Sequence, residues 1–228
     1  MSEREAKSQD WAIKVQASRT GGAFYGVVVR LVRLLVLPYL RVRREGAEHL
    51  AIEGPVILAP VHRSNLDSVL VAGVARRRIR ALGKESLFTH PVFAWVNAAL
   101  GAIPVRRGQA DRQAMKAAQD IISSGEMMIV FPEGTRQSGP RVDGVFDGTS
   151  YLAQKTGAPI IPIGIGGTEA AMGSGSKGIK RVRCSVVVGE PIRPPEGRMS
   201  RPQLSAFSET VSTELQRVFD RALELADV

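Results

Sequence analysis

A histidine and an aspartate separated by four residues form the first segment able to do chemistry. The stretch His62-Arg-Ser-Asn-Leu-Asp67 follows the short apolar segment 55–60. Five residues of an ideal helix turn through ~500°, so the two side chains can meet only if His62 lies in a strand-to-helix turn and Asp67 in the first helical turn. A carboxylate bound to one ring nitrogen leaves the other nitrogen free as a general base. The alternative is that Asp67 only caps the start of the helix.

A second segment, Phe131-Pro-Glu-Gly-Thr-Arg136, brings charged side chains directly after an apolar strand pattern over residues 127–131. Open α/β sheets bind ligands at the edge where such strands end. Gly134 permits close backbone approach, Arg136 can hold a phosphate through two hydrogen bonds, and Glu133 can accept hydrogen bonds from substrate hydroxyls. The alternative is a local salt bridge between Glu133 and Arg136.

Two further segments contain no acid–base pair. Gly101-Ala-Ile-Pro-Val-Arg-Arg-Gly108 places two arginines between glycines, which suits an anion clamp or, alternatively, a solvated turn. Ile161-Pro-Ile-Gly164 has no ionisable side chain, so its expected role is shape. We interpret Ser64 as a helix cap rather than a nucleophile, and Cys184 as a packed thiol, because no base lies near Cys184 in the sequence.

The elements that must position these residues alternate between strand and helix after residue 45. This alternation predicts an α/β fold with a mixed central sheet flanked by helices. The predicted strands are 55–60, 78–82, 103–105, 127–131, 160–165 and 181–188. The predicted helices are 66–74, 88–100, 111–124, 150–156 and a final one that opens with Ser200 and Gln203 in capping-box spacing. Pro162 should place its strand near an edge of the sheet or make the strand irregular.

The N-terminal region reads differently, as a helix over residues 11–40 that is apolar on most sides. Four arginines lie close together on its helical wheel: Arg19, Arg30, Arg33 and Arg41. A membrane-spanning helix needs ~20 mostly uncharged residues, and an arginine at mid-bilayer costs roughly 2.5–3.5 kcal/mol. An apolar face beside an arginine stripe therefore favours an amphipathic helix in the membrane interface, which Gly21-Gly22 would divide in two. The alternative is an ordinary core helix.

Composition limits the partners and the number of domains. The chain has 31 Lys and Arg against 22 Asp and Glu, a net charge of +9, which favours anionic lipid surfaces or phosphate-bearing substrates. Aromatic residues are only 5% and do not alternate with basic ones, which argues against nucleic acid. The single cysteine excludes an intramolecular disulfide and suits a reducing compartment. We predict N-terminal membrane-interface helices over residues 1–45 and one α/β domain over residues 46–228.

Taken in order, the four segments resemble the glycerolipid acyltransferase family, which includes the bacterial 1-acylglycerol-3-phosphate acyltransferases. That family carries an NHxxxxD block, a GxIPVxR block, an FPEGTRS block and a short proline-centred apolar block. The matching segments are Val61–Asp67, Gly101–Arg107, Phe131–Gln137 and Ile161–Gly164. The resemblance extends from about residue 50 to residue 190, and Phe-Pro-Glu-Gly-Thr-Arg is its most specific part.

The resemblance implies transfer of a fatty acyl group from acyl-CoA or acyl-carrier protein to the free hydroxyl of 1-acylglycerol-3-phosphate, giving phosphatidic acid. The implied partners are lysophosphatidic acid, acyl-CoA or acyl-carrier protein, and an anionic membrane surface, with no nucleic acid. No metal and no cofactor is expected. The implied location is the cytoplasmic face of the cell membrane, with monotopic or peripheral attachment.

The same resemblance implies roles for individual residues. His62 is the expected general base and Asp67 its orienting partner. The expected substrate-binding residues are Arg107, Arg136 and Lys84 for the phosphate, Glu133 for the glycerol, and Gly134 and Thr135 beside them. Apart from the resemblance, backbone amides after His62 or around Gly134 are candidate donors to the oxyanion, and the sequence does not choose between them.

Three departures from the family pattern bear on the acceptor. Val61 replaces the usual Asn, Gln137 replaces Ser, and Asp147 stands where many relatives have Lys. Losing that cation leaves open another lysophospholipid or a glycolipid such as a phosphoinositol mannoside as acceptor. Two functions of other classes also stay open: a non-catalytic membrane-binding module and a phosphohydrolase.

Overall fold

A computed structural model of the chain describes residues 3–105, 112–176 and 178–228. In this part of the chain a sheet of seven strands forms the centre, in the order β1-β7-β6-β2-β5-β3-β4. The strands are β1 Arg43–Glu45, β2 Val56–Pro60, β3 Ile79–Lys84, β4 Ala102–Val105, β5 Met127–Ile129, β6 Ile160–Gly166 and β7 Ser185–Val188. Strands β2 to β6 run parallel, whereas β7 is antiparallel to β6. The predicted mixed sheet is confirmed.

Helices cover the sheet. They are α1 Glu3–Ala17, α2 Arg19–Leu31, α3 Leu37–Tyr39, α4 Leu66–Val74, α5 Pro91–Ala99, α6 Arg112–Ser123, α7 Gly148–Thr156, α8 Thr168–Met172 and α9 Arg201–Ala226. A π-helical turn, Val32–Val36, joins α2 to α3, and 3-10 turns form over Ala47–Leu50 and Glu85–Phe88. The predicted helices and strands after residue 45 are found within a few residues of their expected bounds.

The sheet is held by apolar side chains on both of its faces. Every residue of β2 and β6 is buried, as expected for parallel strands covered by helices on both sides. Alternate residues of β2 enter different cores: Leu58 packs with Leu70 of α4, and Ile57 packs with Leu152 of α7. The long helix α9 contributes to both cores. The sheet edge is thereby held rigid, which the site described below requires.

The edge position predicted for Pro162 is wrong, because β6 lies inside the sheet between β2 and β7. Pairing between β6 and β7 begins at Ile163 with Val188. Pro162 stands just before this ladder, where its carbonyl accepts a hydrogen bond from the Gly189 amide at 2.9 Å. The missing proline N–H thus falls at the end of a ladder, where it costs little.

Helix α9 lies directly on β6 because Gly164 has no side chain. A Cβ atom at this position would lie 2.0 Å from the Val218 carbonyl oxygen, so only glycine allows the contact.

The predicted capping box at the start of α9 is confirmed, since the Ser200 amide donates to Gln203 Oε1 at 2.8 Å.

The N-terminal helices divide at Ser18 and not at Gly21-Gly22. The Ser18 hydroxyl accepts a hydrogen bond from the Gly21 amide at 3.0 Å and caps α2. Gly21 has a different function: a Cβ atom there would lie 2.1 Å from the Val15 carbonyl oxygen. It permits close packing between the end of α1 and the start of α2, whereas Ser18 caps the start of the second helix.

The continuous helical segment Arg19–Tyr39 has 21 residues and is long and apolar enough to cross a membrane. Only 17% of its most apolar window is buried inside the protein, which does not fit the alternative of an ordinary core helix. Its exposed apolar side chains include Val27, Leu31, Leu34 and Leu35. Arg33 is exposed as well, but its guanidinium donates to the Gly73 and Ala75 carbonyls at the end of α4.

Candidate active site

The strand order brings the predicted site residues to one edge of the sheet. Strands β6, β2, β5, β3 and β4 are neighbours and run parallel. Their carboxyl ends therefore meet at the same edge. His62 and Asp67 follow β2, residues 133–136 follow β5, and Lys84 ends β3.

His62 and Asp67 form the predicted pair, with 3.1 Å between His62 Nδ1 and Asp67 Oδ2. His62 lies in the turn after β2 and Asp67 in the first turn of α4. The same oxygen of Asp67 accepts the backbone amides of Arg63 and Ser64, each at 2.7 Å. An ionised carboxylate can only accept hydrogen bonds, so Asp67 accepts from the imidazole and His62 Nδ1 carries the proton. The lone pair of Nε2 is then free to act as a base.

The imidazole is held between the β2 and β5 loops. Its ring stacks on Phe131, with 3.8 Å between centroids and 21° between the planes. The Gln137 amide donates to the His62 carbonyl at 2.8 Å. The His62 side chain keeps 18% of its surface exposed, whereas Asp67 is fully buried. Asp67 thus orients the ring from its buried side, and the exposed part of the ring remains open to a substrate.

Glu133 pairs with Arg63, an arginine that we did not assign from the sequence. Arg63 Nη1 donates to both carboxylate oxygens of Glu133, at 2.8 and 2.9 Å. The His62 amide donates to Glu133 Oε2 at 2.8 Å. The alternative of a salt bridge between Glu133 and Arg136 is therefore wrong. The Glu133 side chain has no exposed surface in this structure, and its predicted contact with the glycerol stays a prediction.

Arg63 uses its remaining donors to hold the chain after residue 136. Its Nε donates to the Gly139 carbonyl at 2.9 Å and its Nη2 to the Arg141 carbonyl at 2.7 Å. The guanidinium also lies 4.9 Å from the centre of the Phe219 ring. Arg63 is therefore the link between the His62 loop and the loop that carries Arg136. Opposite charges after two neighbouring strands were the signal for this pair, but the strand order was needed to recognise it.

Four of the predicted substrate-binding residues are exposed, and a fifth lies outside the described residues. Arg136, Lys84, Gly134 and Thr135 are exposed at the carboxyl edge of the sheet. Gly134 has the left-handed φ of +68° that glycine favours, and a Cβ atom there would lie 3.1 Å from the Phe146 ring. Arg107 lies outside the described residues.

The backbone amides expected to bind an oxyanion are engaged within the protein. Those of Arg63 and Ser64 donate to Asp67. The Gly134 amide donates to the Phe131 carbonyl at 3.0 Å, and the Thr135 amide to the Glu133 carbonyl at 2.7 Å. In this conformation these four amides stabilise the loops themselves.

Ser64 and Cys184 were not expected to act as nucleophiles. Ser64 is hydrogen-bonded within the protein and Cys184 is buried. The Ser64 hydroxyl donates to the Met172 carbonyl at 2.6 Å and accepts the Leu66 amide at 3.1 Å. The N-cap position of α4 is held by Asn65, so the prediction that Ser64 caps the helix is off by one residue. Cys184 is fully buried, and burial, together with the charge of Asp67, raises the pKa of its thiol to about 12. A thiol with this pKa is protonated at neutral pH and is a poor nucleophile.

Thr168, at the start of α8, was not identified from the sequence. Its buried hydroxyl donates to Asp67 Oδ1 at 2.7 Å. No cluster of three or more His, Cys, Asp or Glu side chains able to hold a metal ion is found among the described residues.

Comparisons with known proteins find a matching family model and a similar fold. A protein-family model described as Acyltransferase matches residues 41–166, more than half of the 228 residues. The crystal structure of the 1-acyl-sn-glycerophosphate (LPA) acyltransferase PlsC from Thermotoga maritima has a similar fold, with a TM-score of 0.71 and 25% sequence identity. The similarity covers 86% of this chain and 78% of that one.

Curated relatives carry the name 1-acyl-sn-glycerol-3-phosphate acyltransferase. The chloroplastic LPAT1 of Arabidopsis thaliana is 26% identical over 174 residues, 74% of this chain and 49% of that protein. The chain spans about half the length of LPAT1 and of several other curated relatives that it matches. A relative from Bacillus subtilis is 23% identical over 181 residues, 78% of this chain and 88% of its own length.

Proposed function

Because the chain belongs to the acyltransferase family, we propose that it transfers a fatty acyl group from a thioester to the free hydroxyl of 1-acylglycerol-3-phosphate, giving phosphatidic acid. The observation that carries this proposal is the exposed imidazole of His62, bound 3.1 Å from the buried carboxylate of Asp67. It lies at the same sheet edge as the exposed Arg136. The names of the relatives support lysophosphatidate as the acceptor.

The reaction is a direct transfer. His62 Nε2 removes the proton from the acceptor hydroxyl as its oxygen attacks the thioester carbonyl. Asp67 stabilises the imidazolium that forms. When the tetrahedral intermediate collapses, the new C–O ester bond is complete, the C–S bond breaks, and the imidazolium returns the proton to the thiolate. The products are phosphatidic acid and the free thiol of CoA or of an acyl-carrier protein.

Arg136 and Lys84, with Arg107, supply positive charge for the acceptor phosphate. The two described cations extend from neighbouring strands, since β3 pairs with β5. The exposed Asp147, the N-cap residue of α7, adds a negative charge at the end of the loop that carries Arg136. We expect this aspartate to change which acceptor head group is bound.

A thioester assay tests the proposal. Purified protein is incubated with lysophosphatidate and either acyl-CoA or acyl-carrier protein, while thiol release and phosphatidic acid are both measured. We expect the two products in equal amounts. A panel of lysophospholipid and glycolipid acceptors tests the alternative substrates. Phosphate release without thiol release would point to a phosphohydrolase, and the absence of any product to a binding module.

Replacing Arg136 by alanine should weaken acceptor binding. A lost hydrogen bond to a charged group costs about 1.5–3 kcal/mol, so we expect the acceptor KM to rise about 10- to 100-fold. The donor KM should change by less than about twofold. Arg193→Ala is the matched control, since Arg193 is exposed in the loop after β7. A change confined to the donor KM would show that the phosphate is bound elsewhere.

We further propose that the segment Arg19–Tyr39 attaches the protein to the cytoplasmic face of the cell membrane. Leu34 is 71% and Leu35 62% exposed, and apolar faces of this kind bury themselves at the boundary of headgroups and acyl chains. Arginines that are exposed in or next to the segment, among them Arg19, Arg30 and Arg41, favour anionic lipid.

The double variant Leu34→Asp/Leu35→Asp should therefore lose binding to phosphatidylcholine vesicles that contain phosphatidylserine. Sedimentation with vesicles measures this loss, and turnover of a short-chain, soluble acceptor should be retained. Tyr151→Asp, an exposed aromatic residue on α7, controls for the added charge. Unchanged sedimentation of the double variant would contradict this mode of attachment.

A further inference from the structure

The carboxylate of Asp67 is held unequally at its two oxygens. Oδ2 accepts three donors: His62 Nδ1 at 3.1 Å and the amides of Arg63 and Ser64 at 2.7 Å. Oδ1 accepts the Thr168 hydroxyl at 2.7 Å. Both Asp67 and Thr168 have no exposed surface. Thr168 is therefore the side chain that satisfies the second oxygen of a buried anion.

We propose that Thr168 is a positioning residue of the acyl transfer, acting on His62 through Asp67. This inference rests on the function proposed above. A carboxylate can rotate about its Cβ–Cγ bond, and a donor on Oδ1 opposes that rotation. Without this hydroxyl, a buried anionic oxygen lacks a partner, and the carboxylate reorients or admits water to recover one. The His62 ring would then lose the orientation that directs Nε2 towards the acceptor hydroxyl.

The fold directs the Thr168 hydroxyl towards Asp67 through the turn at Gly167. Gly167 has a left-handed φ of +81°, and a Cβ atom there would lie 2.2 Å from the Arg183 carbonyl oxygen. This tight turn starts α8 directly at the carboxyl end of β6. The other end of α8 is tied to the same loop, since the Ser64 hydroxyl donates to the Met172 carbonyl. Helix α8 is thus attached at both ends to the segment that carries His62 and Asp67.

The isosteric variant Thr168→Val tests the inference, because it replaces the hydroxyl with a methyl group of similar size. The lost bond is to a charged group, so we expect kcat to fall about 10- to 100-fold, with both KM values within about twofold of the wild type. Thr168→Ser restores the hydroxyl and should keep kcat within about threefold of the wild-type value. If Thr168→Val does not fold, Thr168→Ala carries the same expectation, because it adds no methyl group beside the carboxylate.

A matched control separates positioning from general stability. The Ser208 hydroxyl donates to Ser150 Oγ at 2.9 Å, and both side chains are buried between α9 and α7. Ser208→Ala also removes one buried hydroxyl hydrogen bond, yet it should leave kcat unchanged. A fall in kcat that is equal in Ser208→Ala and Thr168→Val would overturn the inference, and so would a folded Thr168→Val or Thr168→Ala with wild-type kcat.

A spectroscopic measurement gives a result that does not depend on the substrate. The NMR signal of the His62 Nδ1 proton, identified by its loss in His62→Ala, should shift or exchange faster with solvent in Thr168→Val. It should stay unchanged in Ser208→Ala. An unmoved signal in a folded Thr168→Val variant would refute the positioning role even if no acceptor is turned over. Absence of acyl transfer by the wild type, with a shifted signal in Thr168→Val, would instead refute the proposed function alone.

Discussion

His62→Ala is expected to lower kcat for acyl transfer by about 10²–10⁴-fold, the usual contribution of a well-placed general base. The variant loses the nitrogen that accepts the proton of the attacking hydroxyl. Asp67 keeps its bonds from the Arg63 and Ser64 amides and from the Thr168 hydroxyl, so the surrounding loop retains its partners. Thiol release from acyl-CoA with lysophosphatidate as acceptor measures the loss.

The chain offers a matched control for deletion of an imidazole. His49 lies in the turn Ala47–Leu50, and its Nδ1 is 3.1 Å from the Val188 carbonyl. His49→Ala should keep wild-type kcat, and circular dichroism should show that both variants are folded. A folded His62→Ala variant that turns over at a near-wild-type rate would remove His62 from the mechanism.

The second large effect is expected on stability. Arg63→Met should lower the free energy of unfolding by about 3–5 kcal/mol, because it leaves Glu133 buried without its ion-pair partner. The two side chains are 2% and 0% exposed, so water cannot replace the lost donors. Denaturant unfolding followed by circular dichroism measures this change.

The double variant Arg63→Met/Glu133→Met should recover most of that stability but little of the activity. Replacing both partners of a buried ion pair with apolar residues is often neutral for stability. The His62 amide and the Gly139 and Arg141 carbonyls would still lack the partners that hold the two loops together. A rate restored together with stability would mean that the pair serves folding alone.

A surface pair provides the comparison. Arg217 and Glu214 of α9 lie 2.8 Å apart with side chains 60% and 37% exposed. Arg217→Met should cost no more than about 1 kcal/mol, since solvent screens such pairs. An equal cost for Arg63→Met and Arg217→Met would contradict the assignment of Arg63 as a buried link between the loops.

The residues that were predicted correctly are those whose signal is local. Apolar runs such as 127–131 predict buried strands. The short connection from β2 to α4 places His62 and Asp67 close together, because only four residues separate them in the sequence. The helix cap at Ser200 is local in the same sense, because a capping side chain bonds to an amide within three residues of itself.

The mispredicted features depend on neighbours that are distant in sequence. The alternative that Glu133 pairs with Arg136 is wrong, because the partner of Glu133 is Arg63, which lies 70 residues earlier. Pro162 was expected at an edge, but the end of the β7 ladder makes it acceptable inside the sheet. Thr168 gave no signal in the sequence, since a threonine acquires its role only when a carboxylate 101 residues away lies beside it.

The sequence alone therefore determined most of the elements, the cap at Ser200 and the pairing of His62 with Asp67, because short-range periodicity and turn geometry are encoded within a few residues. Only the tertiary structure decided which charged groups are buried with each other and which remain exposed to a substrate. Burial removes water from Glu133 and Asp67, so each must take its hydrogen bonds from whatever the strand order places beside it.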